Sequence, residues 1–418
     1  MVQQDQRLGG LVGVQLSAMM FWQFFLWGAW YMTMGPYMNA VGMSDKVQGW
    51  AYSMGPIAAI VSPFFLGIFA DRYFATEKIL GILHLVGGGL LLFAPMAAEQ
   101  SELLYLAVIL VHMLSYMPTL GLTNTLAMHN MTNAEKQFPL IRVFGTIGWI
   151  VAGFAISWLN YDKSPGMFYV AGGAGLVLGV YSFTLPHTPP PAKGQDFSAR
   201  DAIGMDALSL MKNRSFVVFA FCSFLICIPL AAYYALAGRF VGDMGIEEIA
   251  QTMSYGQISE VAFMVVMPLF FARLGVKWML AVGMLAWVAR YGLFAQAADE
   301  QVRMMVLGGI VLHGICYDFF FVTGQIYTDQ VSGPKIRGQA QGFLVLITQG
   351  LGMLIGTQLS LKLVGHFTTI TADEVKVVDW KSVWSYPAGF SLVVLIVFVL
   401  LFKNNKAAQA TPESESAD

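Results

Sequence analysis

Charge is what this sequence has least of. Asp, Glu, Lys and Arg make up 11% of its 418 residues, against about 25% in ordinary soluble domains, which excludes a water-soluble globular fold. The 23 Lys and Arg nearly balance the 25 Asp and Glu. No basic block stands among them, so nucleic acid is not an expected partner. Cysteine is scarce too: Cys222, Cys227 and Cys316 fall in apolar segments without metal-ligand spacing and read as small core residues. There is no Walker loop, hence no ATP engine, and neither His-Glu-x-x-His nor Gly-x-Ser-x-Gly, hence no membrane protease or hydrolase signature. Without a nucleophile–base pair or a metal set, an enzyme is not expected, and no cofactor is called for.

Apolar residues fill the space left, with 57% of the chain hydrophobic and 14% aromatic. At about 20 apolar residues per bilayer crossing, the chain divides into twelve candidate helices. Their cores lie at about 12–38, 48–70, 79–98, 103–128, 140–160, 167–185, 215–241, 252–272, 277–297, 304–328, 338–364 and 383–402. The run from Leu11 is far longer than a signal-peptide core and reads as a retained first helix. The longest internal polar interruption, Pro186 to Arg214, divides the helices six and six. The expected architecture is an all-α membrane protein with one six-helix half over 1–185, a central loop over 186–214, a second half over 215–403 and a disordered tail over 404–418. Pro139-Leu-Ile-Arg142 opens the fifth helix and Pro334-Lys-Ile-Arg337 leads into the eleventh, an echo expected of parallel repeats.

Orientation follows from the basic residues. With both termini in the cytoplasm, Arg7, Arg72, Lys78, Lys193, Lys212, Arg214, Arg273, Lys277 and Arg337 are among those inside, while Lys46, Lys163, Arg303, Lys362, Lys376 and Lys381 lie outside. That is the bias of short cytoplasmic loops. A multi-pass inner-membrane protein in contact with the lipid bilayer is expected, working as a monomer.

Within these apolar runs, polar side chains mark where a cavity must be, because each costs a few kcal/mol at hydrocarbon depth. In the tenth helix His313 and Tyr317 are four apart on one face, with Asp318 about 100° round. Arg142, Thr146 and Trp149 form an i, i+4, i+7 stripe on the fifth helix. A guanidinium, a hydroxyl and an indole together can bind a flat polar solute, although Arg142 can also snorkel to the interface. Gly145 and Gly148 lie on other sides of that helix and permit close packing. Gln257 and Glu260 share a face of the eighth helix. A carboxyl group removed from water can exchange protons near neutral pH unless a cation holds it ionised, so Glu260 suits a proton carrier or a hydroxyl acceptor. Arg290 and Arg239 also lie at or near membrane depth, and Arg290 is open to pairing with a carboxylate or reaching the outer interface. His112 and His129 flank Tyr116-Met-Pro118-Thr119, where Pro118 is expected to interrupt regular helix.

Several of these stretches carry a family resemblance. Gly67-Ile-Phe-Ala-Asp71-Arg72 resembles the loop motif of the major facilitator superfamily, in which charged groups latch helix ends; Asp71 and Arg72 are the gating candidates. Tyr116-Met-Pro-Thr-Leu-Gly-Leu-Thr-Asn124, Phe138-Pro-Leu-Ile-Arg-Val-Phe-Gly-Thr-Ile-Gly-Trp149, Gln257-Ile-Ser-Glu260 and Tyr317-Asp318-Phe-Phe together resemble the nucleoside:proton symporter family of that superfamily. Within it they are most similar to a branch named for nucleoside transport. The likeness runs from about Phe24 to Phe402.

The resemblance implies that Arg142, Thr146, Trp149, Gln257, Glu260 and Tyr317 line a nucleoside site and that Asp318 takes part in transport. Two departures bear on the solute. Where the family carries two amides on the seventh helix, this chain runs Cys227-Ile-Pro-Leu-Ala231-Ala-Tyr233-Tyr234, with small and phenolic groups in place of paired donor-acceptor ones, and Tyr234 is a candidate contact. Where it carries a tyrosine one turn before the aromatic–Asp pair, this chain has His313. The expected partners are a nucleoside-like small solute and protons, with Glu260 and Asp318 the proton-coupling candidates. Proton-coupled uptake by alternating access is the leading expectation, against a symporter for another polar metabolite such as a sugar, or a transporter-like solute sensor.

Overall fold

The computed structural model describes residues 10–65, 71–132, 134–190, 205–300, 302–371 and 376–403. Among them the chain crosses back and forth twelve times as helix. The first six spans are Gly10–Gly28 with its continuation Met34–Ala40, then Asp45–Phe65, Thr76–Gln100, Glu102–His129, Ala134–Trp158 and Gly166–Ser182. Spans seven to twelve are Arg214–Asp243, the two arms of Ile249–Glu300, then Arg303–Gly333, Ile336–His366 and Trp380–Leu401. The unbroken assignment over Ile249–Glu300 covers 52 residues, about 78 Å of helix at 1.5 Å per residue, far more than a hydrocarbon core of about 30 Å. It is two spans folded at Gly275, whose φ of 64° and ψ of 178° are non-helical. Gly333 makes the same turn with φ 66°; a side chain at either position would be strained.

The parity of twelve crossings puts Gly10 and Lys403 on one face, called here the near face, with the Ser215 hydroxyl donating to the Lys403 carbonyl there (2.8 Å). At the far face a two-stranded hairpin pairs Thr368–Ile370 with Lys376–Val378, an element the hydropathy pattern does not announce. Residues 191–204 of the expected central loop and the expected tail, 404–418, lie outside those described. The described part of the loop ends in a 3-10 helix, Met205–Lys212, whose Asp206 N–H donates to Gln339 Oε1 (3.1 Å).

Span one is not the single helix expected over 12–38. It breaks between Gly28 and Met34, because Pro36 has no N–H to offer the Met32 carbonyl one turn back. The Tyr52 hydroxyl of span two repairs the gap: it accepts from the Gly35 N–H (2.9 Å) and lies 3.3 Å from the Tyr31 carbonyl, to which it donates. The Met32 carbonyl turns instead toward Gly238 of span seven, where any Cβ would collide with it. The break thus lets the first half seat against the second. Pro118, by contrast, does not interrupt span four, which is continuous from Glu102 to His129. The Thr119 hydroxyl donates to the Tyr116 carbonyl (2.5 Å) and the Thr123 hydroxyl to the Thr119 carbonyl (3.0 Å), hydroxyl-to-carbonyl bonds made within the same helix.

Glycine sets the close approaches within the first half. A Cβ at Gly148 would collide with the Phe21 carbonyl, so spans one and five touch backbone to backbone. The hydrogen bonds crossing between the halves gather toward the far face. They join Asp45 to Arg239 (3.0 Å), Gln358 to Ser53 (2.8 Å), and Ser157 and Asp162 to the start of span eight.

Candidate functional site

Span ten is not a regular α-helix throughout. Its helix gives way to a π-helical stretch over Tyr317–Val322, the kind of widened turn that recurs at functional sites. One turn earlier, His313 is 2% exposed. Its Nε2 lies 3.6 Å from Glu260 Oε2 and 3.4 Å from Gln257 Nε2. The two residues that share a face of span eight therefore converge on a single imidazole nitrogen of span ten. Tyr317 stacks on the same imidazole, centroids 5.9 Å apart at 27°, which completes a carboxyl, an amide, an imidazole and a phenol in one cluster.

Span seven supplies the next wall. Tyr233 is buried and stacks on His313 (5.7 Å, 19°), while its neighbour Tyr234 is only partly buried and faces Tyr31 of span one across the boundary between halves (6.1 Å). On the opposite side, Thr146 and Trp149 are each 9% exposed. Trp149 packs on Trp27 (5.4 Å), and Trp27 in turn touches Tyr31 and Tyr116 (5.5 Å each). Arg142 sits over the Phe24 ring at 4.0 Å. The arrangement offers flat aromatic faces for stacking, donors and acceptors for hydroxyls and carbonyls, and a carboxyl group beside an imidazole.

Other sequence candidates stand apart from this cluster. Asp318 is fully buried, and neither of its oxygens has a hydrogen-bonding partner among the described residues. Arg290 reaches neither a carboxylate among the ion pairs of the described residues nor the interface. It is fully buried, donates from Nε to the Gly309 carbonyl (3.0 Å) and lies 4.1 Å over Tyr233. Arg239 pairs with Asp45 at the far face. Of the gating pair, Arg72 is half-buried in the short helical turn Asp71–Tyr73, and the Asp71 side chain lies outside those described.

A second polar network is centred on Gln23, which is not among the sequence candidates. Gln23 of span one donates to the Thr119 hydroxyl (2.7 Å) and meets His84 Nε2 through its Oε1 (2.7 Å), while the Tyr116 hydroxyl donates to the Gln23 carbonyl (2.8 Å). His112 stacks on Tyr116 (5.9 Å, 18°) and meets the Gly87 carbonyl through Nδ1 (3.0 Å). The signal was a lone amide inside Phe21-Trp-Gln23-Phe-Phe-Leu-Trp27, whose burial demands partners. At the near face Glu77 is also tied down, accepting from the Thr188 N–H (3.0 Å) and meeting His187 Nδ1 (2.9 Å). At the far face Asp162 is 6% exposed. Burial pushes its carboxyl group above the ordinary carboxylate range, while the Ala250 N–H and the Ser157 hydroxyl pull it back.

Twelve spans in two groups of six, joined toward one face and with a polar cluster buried among them, define a secondary transporter of the major facilitator type. The chain matches the family model described as nucleoside H+ symporter over residues 11–407 and belongs to that family. It is 36% identical to YegT of Escherichia coli (strain K12) over 94% of each chain. It is 32% identical to the xanthosine permease of the same organism, over 94% of this chain and 96% of that one. The crystal structure of the nucleoside transporter NupG superimposes with a TM-score of 0.82 at 30% identity, covering 94% of this chain and all of that one. A D-xylose-proton symporter shares the fold, with a TM-score of 0.72 at 14% identity. The protein is thus a membrane transporter and not an enzyme.

Proposed function

We propose that this transporter carries nucleosides, or chemically similar sugar-bearing solutes, into the cell together with protons, by alternating access, as a monomer in the inner membrane. One observation carries the reading: Gln257 and Glu260 of one half converge on His313, and across the boundary the ring contacts Trp149–Trp27–Tyr31–Tyr234 tie span five of the other half to the same wall. A planar base stacks on Trp149, Tyr317 and Tyr234, while Gln257, His313 and Arg142 take its polar edge and the sugar hydroxyls. Glu260, shared between solute and proton, makes binding of one depend on the state of the other. Asp318, buried one residue beyond Tyr317, is the second coupling group, and Asp71 with Arg72 acts in the near-face gate. With the near face in the cytoplasm, halves joined at the far face correspond to a carrier facing inward. Relatives named as permeases for xanthosine and for nucleosides support the solute class.

A second reading, a proton symporter for another polar metabolite such as a sugar, rests on the small and phenolic side chains that span seven carries where the family resemblance places two amides. Radiolabelled uptake into proteoliposomes decides between them, with nucleosides and sugars competing under an imposed or collapsed proton gradient. Gradient-dependent uptake competed by nucleosides and not by sugars supports the first reading. Competition by sugars alone overturns it.

A further inference from the structure

Spans five and eight cross near the far face with almost no room between them. A Cβ at Gly153 would meet the Ala250 carbonyl at 2.7 Å and collide with the Ser254 hydroxyl, and Phe154 packs edge-on against Tyr255 (6.0 Å). Just past the crossing, Asp162 Oδ1 accepts from the Ala250 N–H (2.7 Å) and from the Ser157 hydroxyl (2.9 Å). Ser157 Oγ in turn accepts from the Gln251 N–H (3.0 Å). The first N–H groups of a helix have no partner within it, and a capping side chain normally comes from the residue just before the helix. Here the cap for span eight comes from the other half of the molecule. A carboxylate suits the place, since the helix dipole favours negative charge at an N-terminus.

We infer that Asp162, with Ser157 as its relay, is a positioning residue for transport: a cap lent by the first half to the helix of the second that carries Gln257 and Glu260, made only while the far face is closed. The donors are backbone groups of span eight and the acceptors belong to the end of span five and the loop after it. Parting the halves at the far face therefore breaks the cap as a unit and returns the helix terminus to water. From Ile249 the helix runs unbroken past Gln257 and Glu260, so the orientation set at its first turn is the orientation of both side chains. The Asp45–Arg239 pair also crosses this face, but it joins spans two and seven and leaves span eight untouched.

The inference rests on alternating access as proposed above, yet its first test needs no solute and stands whichever solute is carried. Ser254→Cys places a thiol on span eight at the sealed crossing, where Ser254 is 1% exposed. A membrane-impermeant maleimide is applied from the far face, with the parent's three buried cysteines as the background. Asp162→Ala is expected to raise the labelling rate on the order of tenfold, the size of a lost helix cap. Asp162→Asn keeps an oxygen acceptor without the charge and should fall between Asp162→Ala and the parent. In uptake from the far face, KM and kcat should fall together, because more carriers wait open to that face and fewer complete closure. Labelling of both variants at the parent's rate overturns the inference, and so does a rise in labelling with KM unchanged. Misfolded carrier lowers kcat alone, and if Asp162→Ala does not fold, Asp162→Asn carries the test.

Discussion

His313 Nε2 of span ten stands 3.6 Å from Glu260 Oε2 of span eight, and the amide of Gln257 approaches the same nitrogen at 3.4 Å. No hydrogen bond from Gln257 or Glu260 to another side chain of the described residues competes for them, so both remain available to a solute. The imidazole acts as the floor on which the pair rests, and its own setting between Tyr233 and Tyr317 keeps that floor still.

Gln257→Ala removes a side chain that both donates and accepts. Solute binding should weaken by about 1–3 kcal/mol, the cost of leaving a buried partner unpaired, with the melting temperature in detergent unchanged. Calorimetric titration of the purified carrier measures the first and a thermal scan the second. Parental affinity in a folded variant would place recognition elsewhere.

Glu260→Gln and Asp318→Asn keep shape and hydrogen bonding and lose titration. At least one of them should fail to accumulate solute beyond equilibration under an imposed proton gradient while still exchanging solute across the membrane. Glu260 is the expected site of combined binding and coupling, because it shares its face with Gln257. If both variants accumulate as the parent does, coupling does not run through these carboxyl groups, and His313 becomes the group to replace.

Lys212 precedes span seven at the near face, and Lys381 lies near the start of span twelve at the far face, where it pairs with Asp299 (2.8 Å). An impermeant thiol reagent added to intact cells should label Lys381→Cys and spare Lys212→Cys. The reverse pattern would invert the proposed orientation.

Tyr52→Phe tests the break in span one. Losing the hydroxyl leaves the Gly35 N–H and the Tyr31 carbonyl without that partner in a buried place, which should destabilise the carrier by about 1–3 kcal/mol. A lower midpoint in thermal or denaturant unfolding checks this, and an unchanged midpoint would show that the broken turn is satisfied in another way.

Local chemistry determined much of this protein before any coordinates. Twelve apolar runs, the turn residues between them and the scarcity of charge dictate a bundle of spanning helices, because only hydrogen-bonded backbone is tolerated in hydrocarbon. Helical spacing alone put Arg142, Thr146 and Trp149 on one stripe, and Gln257 and Glu260 on one face. What spacing cannot supply is the distance between helices. That Glu260 and Gln257 meet His313, that Tyr233 is walled in while Tyr234 faces Tyr31, and that Asp162 caps a helix in the other half all depend on how spans far apart in sequence come together. Gln23 shows the limit well: its polarity was legible, but its partners His84 and Thr119 lie on two other spans. The tertiary structure decided these contacts because a buried polar group must find its partner in space, and the bundle, not the neighbouring sequence, chooses which one is near.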